Sequence, residues 1–193
     1  MKLYCATGNR GKLREFQMLA GGIELALLPA FEEIAACEET GASFEENAIL
    51  KATYYGSRAP GFLFAEDSGI EVDALGGAPG VRSARFAGEG ARDEDNNRLL
   101  LEKLRGVSDR TARYVSVIAL ADRGKPVRTF RGTVEGRIAT EPAGANGFGY
   151  DPLFYYPPLE CTFAELPPEQ KNSRSHRGQA FAKLLEFLNA RLG

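Results

Sequence analysis

The stretch LFAEDSGIEVDALGGAPGVRSARFAG (63–88) does not have the composition of an ordinary surface loop. An apolar run that closes with Ala65 leads directly into two carboxylates, Glu66 and Asp67, and glycines and two arginines follow. The apolar run predicts a buried strand over residues 62–66 that ends at the acids. Because charge beside an apolar core is costly, paired acids at this point need a physical reason.

Three explanations for the paired acids are open at this stage. The segment Asp67-Ser68-Gly69 could cap a turn, since Asp, Ser and Gly are typical turn residues. The acids could instead pair with Arg82 or Arg85, although Arg85 is predicted to form a structural ion pair between two lobes. Carboxylate oxygens are also suitable ligands for a divalent cation, and Asp67 could then act as a general base. The density of small and charged residues behind the acids favours a functional site.

The hydrophobic pattern around this stretch predicts a mixed α/β fold. Strand patterns and helix patterns alternate along the first half of the chain, and two long strands form a hairpin in the middle. We therefore expect a mostly elongated central sheet flanked by helices, in two lobes with the active-site cleft between them. The predicted strands cover residues 2–6, 24–28, 62–66, 111–121 and 127–138, and the predicted helices start at Lys12, Ser43, residue 92 and about Ser175.

Composition argues against several classes of protein. The chain has 193 residues, 24 Lys plus Arg and 26 Asp plus Glu, so a net charge of −2 disfavours a nucleic-acid-binding module. No signal peptide and no apolar run of membrane-spanning length are predicted. The three cysteines, Cys5, Cys37 and Cys161, are widely separated, which argues against a zinc site or a disulfide framework. A reducing, cytoplasmic setting fits this pattern.

The segment Thr7–Lys12 joins the first strand to the first helix through a glycine-containing turn. Exposed N–H groups at such a turn and at a helix N-terminus form a natural anion site, to which Arg10 and Lys12 add positive charge. An ordinary strand-to-helix turn with solvated basic residues is the alternative. The segment does not satisfy the Walker A pattern.

Three further groups of residues carry potential chemistry. Asn47 and Lys51 are four residues apart and share a helix face, which by itself indicates a solvated surface. Phe148 and Tyr150 are each flanked by glycine, so that they could stack on a base or plug the core. A basic group stands around the start of the last helix: Lys171, Arg174, His176 and Arg177.

Taken together and in order, these segments resemble the inosine/xanthosine triphosphate pyrophosphatase family, whose members hydrolyse deaminated purine nucleotides. The resemblance rests on ATGNRGK, ENAILKA, EDSGIEVDALGGAPGVRSARFAG, GFGYDPLF and AELPPEQKNSRSHRGQA, and it covers Leu3 to about Leu188. It implies a single domain over 1–193 that converts ITP, dITP and XTP to the nucleoside monophosphate and pyrophosphate. It also implies Mg²⁺ as cofactor and a homodimer, with no nucleic-acid or membrane partner.

The resemblance further implies individual roles. Asp67 is the catalytic acid–base residue and a magnesium ligand, and Glu38 is the other magnesium ligand, with Glu39 or Glu66 as open alternatives to Glu38. Glu66 stands where bacterial members usually carry aspartate, which puts a direct metal role for Glu66 in doubt. The residues implied to bind the triphosphate are Thr7, Gly8, Asn9, Arg10, Gly11, Lys12 and Lys51, with Ser68 as a further nucleotide contact. The residues implied to recognise the base are Phe148, Gly149, Tyr150, Asp151, Lys171, His176 and Arg177.

Two other functions remain alternatives. A related pyrophosphatase could act on modified pyrimidine or methylated nucleotides. A non-catalytic nucleotide-sensing or RNA-binding protein is the second alternative, but it would need a broad basic face that the net charge of −2 does not favour.

Overall fold

A computed structural model describes residues 2–192, and within this range the chain forms seven strands and five α-helices. None of the helices in the described range has both the length and the apolar character needed to cross a bilayer. The strands are β1 (Lys2–Ala6), β2 (Glu24–Leu27), β3 (Phe62–Val72), β4 (Thr111–Asp122), β5 (Lys125–Ile138), β6 (Phe154–Tyr156) and β7 (Cys161–Thr162). The helices are α1 (Arg10–Leu19), α2 (Phe44–Gly56), α3 (Asp93–Lys103), α4 (Pro168–Arg174) and α5 (His176–Leu192).

The seven strands form one mixed sheet in the order β2-β1-β3-β4-β5-β6-β7. β1 pairs in parallel with β2 and β3, whereas β6 pairs in antiparallel fashion with β5 and β7. The turn between β4 and β5 consists of Arg123 and Gly124, whose φ values of 49° and 80° are those that tight hairpin turns require. The predicted α/β class, with a mixed central sheet flanked by helices, is confirmed.

The described chain divides into two compact units, and the strands β3, β4 and β5 contribute residues to both. Unit 1 contains the residues up to Asp67, the segment Ser116–Gly132 and the residues from His176 onward. Unit 2 contains Ser68–Val115 and Thr133–Ser175. The boundary in β3 therefore falls between Asp67 and Ser68, directly after the two acids.

The core of unit 1 is built around three buried phenylalanines, Phe16 of α1, Phe64 of β3 and Phe181 of α5. Their ring centroids lie 4.9 to 5.4 Å apart, which is the spacing of favourable edge and tilted aromatic pairs. β5 also approaches α5 closely, because a Cβ on Gly132 would lie 2.0 Å from the carbonyl oxygen of His176. This packing fixes the first turn of α5 in unit 1.

The core of unit 2 is built from the later part of β3, from α3 and from an aromatic group. Ile70 and Val72 of β3 are fully buried, together with Leu100 and Leu104 at the end of α3. The aromatic group consists of Tyr114, Phe154, Tyr156 and Phe163, whose contacting rings have centroids 4.4 to 5.9 Å apart.

The prediction that β3 ends at the acids is wrong, because the strand continues to Val72. Glu66 and Asp67 therefore lie in the middle of a strand, and the turn-capping explanation for them is excluded. The continuation is stabilised by burial of Ile70 and Val72. It also depends on Gly69, since a Cβ there would lie 2.3 Å from Ser83 Oγ and 2.7 Å from the Gly80 carbonyl oxygen.

The start of the last helix is confirmed, whereas the expectation for Arg85 is corrected. The last helix begins at His176, next to the predicted start at about Ser175, and a short helix, α4, that the sequence analysis missed precedes it. Ser175 separates the two helices with extended backbone (φ −70°, ψ 158°). Arg85, predicted to form an ion pair between lobes, instead lies 3.5 Å from Glu89, four residues further along the same unit.

The close approach at Gly69 leads to a stability prediction. We expect Gly69→Ala to lower the free energy of unfolding by about 1–3 kcal/mol, because the added methyl group meets a backbone carbonyl and a hydrogen-bonded hydroxyl. Gly61→Ala is the matched control, since a Cβ there meets no atom within 4 Å, and it is expected to change stability by less than about 0.5 kcal/mol. Urea unfolding of both variants measures the difference, and equal midpoints would contradict the prediction.

Candidate active site

The predicted phosphate loop lies between β1 and α1 in unit 1. Asn9 is the N-cap of α1, and its Oδ1 accepts a hydrogen bond from the Lys12 N–H at 3.0 Å. Thr7 Oγ1 accepts from the Asn9 N–H at 3.2 Å, which stabilises the turn on its other side. Gly8, Asn9 and Arg10 are exposed. The loop therefore has the exposed, capped helix start that suits an anion.

A buried group of charged residues surrounds Glu66, whose side chain is only 2% exposed. Lys12 Nζ lies 2.8 Å from Glu66 Oε2, and Arg177 Nε donates to Glu66 Oε1 at 3.1 Å. Ser116 Oγ also donates to Glu66 Oε1, at 2.8 Å. Arg177 in addition forms an ion pair with Glu15 of α1. We call these five residues the Glu66 cluster: Glu15, Lys12, Glu66, Ser116 and Arg177.

The Glu66 carboxylate is held in its charged form. Burial alone would raise its pKa, but the positive charges of Arg177 and Lys12 outweigh burial and hold the pKa of Glu66 well below the ordinary value of 4.5. The cluster contains two cations and two carboxylates, so its charges balance. Such a balanced, hydrogen-bonded arrangement is the condition under which charged groups can be buried.

The Glu66 cluster changes the interpretation of several residues. The acids pair with Lys12, Lys51 and Arg177 rather than with Arg82 or Arg85. Arg177, predicted to recognise the base, contacts two carboxylates of unit 1, and its predicted role stays a prediction. Sequence reasoning missed Ser116, although it is the one hydroxyl in the otherwise apolar run VSVIALA (115–121).

A second group of residues in unit 1 surrounds Asp67. Lys51 Nζ lies 2.8 Å from Asp67 Oδ1 and 3.1 Å from Glu39 Oε1. Asn47 Nδ2 donates to Asp67 Oδ2 at 3.4 Å, while Asn47 Oδ1 accepts from the Gly41 N–H at 2.8 Å. Asn47 is fully buried, so the solvated helix face expected for Asn47 and Lys51 is wrong. We call Glu39, Asn47, Lys51 and Asp67 the Asp67 cluster.

The structure distinguishes the two neighbouring glutamates of the turn before α2. Glu39 is the carboxylate that contacts Lys51, and it is half-buried. Glu38, which the resemblance implies as a magnesium ligand, has an exposed side chain. Its role as a ligand stays a prediction, and Glu39 is the acidic residue that sequence reasoning did not select.

Burial and the neighbouring charges together set the pKa values of Asp67 and Lys51. Burial raises the pKa of Asp67, and the opposing attraction of Lys51 does not fully reverse this rise. Burial would lower the pKa of Lys51, but Asp67 and Glu39 raise it overall, so that the ammonium stays charged. Asp67 is therefore a carboxylate with increased basicity that a cation and an amide hold in one orientation, as a general base requires.

The Asp67 cluster has the donor chemistry for a hard divalent cation. Two carboxylates share the single ammonium of Lys51, so the cluster carries an excess negative charge. Among residues 2–192, no group of three or more acidic, His or Cys side chains is arranged for a metal. Mg²⁺ is commonly bound by one or two carboxylates together with substrate phosphates and water, so Asp67 with one glutamate fits this ion.

The predicted base-recognition residues of unit 2 surround the Asp151 carboxylate. Lys171 forms a buried ion pair with Asp151, and the Phe148 N–H donates to Asp151 Oδ2 at 2.9 Å. Tyr114 OH donates to Asp151 Oδ1 at 3.2 Å. Lys171 Nζ also lies 4.9 Å from the centroid of the half-buried Phe148 ring, at the distance of a cation–π contact.

The two glycine-flanked aromatics have different environments. Tyr150 is 5% exposed and donates its hydroxyl to the Ser83 carbonyl oxygen at 2.8 Å, so Tyr150 plugs the core. Phe148 keeps part of its ring accessible. Gly147 is required for the loop, since φ is +75° and a Cβ would lie 2.1 Å from Asp151 Oδ2. Of the remaining predicted residues, Ser68 is half-buried in unit 2 and His176 is buried at the start of α5 in unit 1.

The Glu66 cluster predicts a pH-dependent stability difference. Glu66→Gln should lower the free energy of unfolding at pH 7 by about 3–5 kcal/mol, because two buried cations lose a carboxylate. Because its pKa is lowered on folding, the ionised Glu66 carboxylate stabilises the fold above pH 4.5, and this contribution is lost as pH falls towards the pKa of the folded state. The difference in the free energy of unfolding between wild type and Glu66→Gln, measured by urea unfolding, should therefore become smaller below pH 4.5.

The control for this experiment is Glu89→Gln, which removes a carboxylate that is 84% exposed and paired with Arg85. It should change stability by less than about 1 kcal/mol at any pH. If the difference in the free energy of unfolding between Glu66→Gln and wild type stayed constant from pH 7 to pH 4, this result would contradict a charged, cation-stabilised Glu66.

Comparison with known proteins identifies the family of this chain. The model of the Ham1 family matches residues 3–187. A dITP/XTP pyrophosphatase of Exiguobacterium sp. is 52% identical over 186 residues, which cover 95% of each chain. A dITP/XTP pyrophosphatase of Listeria monocytogenes is 47% identical and covers 95% of this chain and 92% of its own. These relatives confirm the resemblance described above.

Solved structures agree with this assignment. The Ham1 protein of Staphylococcus aureus superposes with a TM-score of 0.89 at 41% identity, covering 99% of this chain and 100% of its own. A structure from Mycobacterium abscessus, described as a nucleoside-triphosphatase or dITP/XTP pyrophosphatase, has a TM-score of 0.76 at 43% identity, covering 96% of this chain and 99% of its own. Because the family model, the sequence identity and the fold agree over nearly the whole length, the chain belongs to the Ham1 family.

Proposed function

We propose that this chain hydrolyses deaminated purine nucleoside triphosphates, namely dITP, ITP and XTP, to the nucleoside monophosphate and pyrophosphate. Relatives named dITP/XTP pyrophosphatase, about 50% identical over nearly the full chain, support this activity. The observation that carries the proposal is the orientation of the Asp67 carboxylate by Lys51 and Asn47 in unit 1. The same unit contains the exposed, capped loop suited to a phosphate.

Charge balance explains why this activity should need a divalent cation. Together the Glu66 and Asp67 clusters contain three cations, Lys12, Lys51 and Arg177, and four carboxylates. A triphosphate that approached them would therefore meet a net negative charge. Mg²⁺, held by Asp67 and by Glu39 or the predicted Glu38, would offset the phosphate charge and lower the pKa of a bound water.

Residues of unit 1 bind the phosphates, stabilise the leaving group and accept the proton of water in this proposal. The Thr7–Lys12 loop and the N-terminus of α1 bind phosphate oxygens, and Lys51 stabilises charge on the leaving pyrophosphate. Asp67 accepts the proton of the attacking water, whose oxygen forms a bond to the α-phosphorus. The bond between the α-phosphorus and the bridging oxygen breaks, and that oxygen leaves with pyrophosphate.

Base selection follows from the donors and acceptors of a 6-keto purine. The keto oxygen accepts a hydrogen bond where adenine presents an amino group, so a site built from donors discriminates strongly between them. Lys171 supplies a donor in unit 2 and the Phe148 ring supplies an apolar face for stacking, while the roles of His176 and Arg177 in base recognition stay predictions. In this proposal Asp151 positions Lys171 and the Phe148 backbone, since both contact its carboxylate.

The proposal also includes a homodimer, which the resemblance to the family implies, and a cytoplasmic location, which the cysteine pattern favours. Cys5 is buried in the core of unit 1, as expected of a structural cysteine. Sedimentation analysis of the purified chain at micromolar concentration would test the dimer directly, because a monomer and a dimer of 21.0 kDa chains are well separated.

A substrate panel tests the proposed activity. We expect kcat/KM for dITP and XTP to exceed the value for dATP by about 10²-fold or more, because a donor facing an amino group is left unpaired. The products should be the monophosphate and pyrophosphate, measured by chromatography with Mg²⁺ present, and EDTA should abolish the reaction. A preference for modified pyrimidine or methylated triphosphates, or tight binding without turnover, would contradict the proposal.

The role of Asp67 can be tested separately. Asp67→Asn should lower kcat by at least about 10²-fold, because the amide cannot accept the proton of water. Glu71→Gln is the matched control, since it makes the same chemical change four residues along β3 at a half-buried carboxylate near Arg113. Glu71→Gln should keep kcat within about twofold. A kcat for Asp67→Asn within tenfold of wild type would exclude Asp67 as the general base.

A further inference from the structure

The backbone of Gly149 is held on both sides by two side chains of α3, within unit 2. Asp93 Oδ2 accepts a hydrogen bond from the Gly149 N–H at 2.6 Å. Asn97 Nδ2 donates to the Gly149 carbonyl oxygen at 3.0 Å. Residues four apart on a helix lie on the same face, so both side chains reach the same residue and fix the peptide groups before and after it. We call Asp93 and Asn97 the Gly149 clamp.

The clamp adds to one other hydrogen bond that spans Gly149, in which the Asp151 N–H donates to the Phe148 carbonyl oxygen at 3.3 Å. A Cβ at Gly149 would meet no atom within 4 Å, so no neighbouring atom fills the space where a side chain would stand. Its φ of +64° lies in the left-handed region, and a glycine can leave this region for other backbone conformations at little cost in energy. The hydrogen bonds to Asp93 and Asn97 supply a restraint that glycine itself does not.

The two ends of the Asn97 amide have different environments. Its Oδ1 is buried and has no hydrogen-bond partner among the residues that the structure describes. A buried acceptor left without a partner costs more free energy than a typical hydrogen bond contributes. The amide is therefore oriented for the Gly149 carbonyl at the expense of its other end, and this orientation needs an explanation other than stability.

The clamp acts on the residue next to the Phe148 ring. On the other side of Phe148, its own N–H is held by Asp151, and Lys171 lies 4.9 Å from the ring centroid. Phe148 thus lies between a peptide fixed by α3 and a backbone N–H fixed by Asp151. Release of Gly149 would free the peptide that follows the ring and let the ring reorient.

We propose that Asp93 and Asn97 are positioning residues for base recognition, which hold the Phe148 ring in the orientation that stacks on the purine. This inference rests on the proposed function, in which the 148–151 loop contacts the base. Asp93 and Asn97 act on the substrate only through the loop. Their loss should therefore weaken substrate binding and leave the proton transfer at Asp67 unchanged.

The test compares Asp93→Ala and Asn97→Ala with two controls. Asp93→Asn retains an oxygen that accepts the Gly149 hydrogen bond. Asp95→Ala removes a carboxylate from the same turn of α3 that contacts Arg98 and both the side chain and the backbone N–H of Arg92, instead of the loop, so it also controls for a weakened start of α3. The measurements are kcat and KM for dITP, and hydrogen exchange of the peptide that covers residues 145–151, which reports the clamp independently of activity.

We expect Asp93→Ala and Asn97→Ala each to raise KM for dITP by about three- to thirtyfold, the effect of one lost hydrogen bond, with kcat within about twofold. Exchange of the 145–151 peptide should accelerate in both variants. Asp93→Asn should recover most of the wild-type KM, and Asp95→Ala should match wild type in both measurements.

Several outcomes would overturn the inference. Faster exchange with an unchanged KM would show that the clamp exists but does not serve base recognition. An equal KM increase in Asp95→Ala would show a general effect of charge at the start of α3, and a loss confined to kcat would place the effect on the chemistry. Failure of the wild type to hydrolyse dITP would overturn the proposed function and this inference together, whereas a normal wild type with normal variants would overturn the clamp alone.

Discussion

The burial of the Glu66 carboxylate in β3 is the constraint on which the candidate site of unit 1 depends. An unpaired carboxylate that is 2% exposed would cost several kcal/mol, so its surroundings must supply cations and hydrogen-bond donors. Lys12 meets this demand from the start of α1, and Arg177 meets it from the start of α5. The phosphate loop and the first turn of the last helix are thereby tied to one residue of one strand.

The alternation of side chains along a strand explains why two neighbouring acids form two different clusters. Successive side chains of a strand point to opposite faces of the sheet, so Glu66 and Asp67 meet different elements. On one face the charges around Glu66 balance, and its carboxylate stays ionised. On the other face Asp67 shares Lys51 with Glu39, which leaves an excess negative charge, and burial raises the pKa of Asp67. One dipeptide thus separates a balanced, structural group of charges from the proposed catalytic group.

Local signals in the sequence predicted the features that depend on local physics. The hairpin turn, the Ser43 cap of α2 and the apolar stripe of α5 follow from glycine conformation, hydroxyl hydrogen bonding and helical periodicity. Long-range pairing was not predictable in this way. The continuation of β3 past the acids depends on Gly69 packing against Ser83, fourteen positions away, and the choice of Glu39 over Glu38 as the partner of Lys51 depends on how one turn folds. A periodic pattern contains neither kind of information.

The identity of residue 66 follows from the same geometry. The resemblance implies aspartate at this position in most bacterial relatives, and glutamate places the carboxylate one methylene further from the strand. At that distance Glu66 reaches Ser116 of β4, Lys12 of α1 and Arg177 of α5 at the same time, with separations of 2.8 to 3.1 Å. Each of its two oxygens lies beside a cationic side chain, so the carboxylate is already paired with groups of the protein. The additional methylene therefore argues against a metal role for Glu66, and the proposed metal binding and proton transfer belong to the face of β3 that carries Asp67.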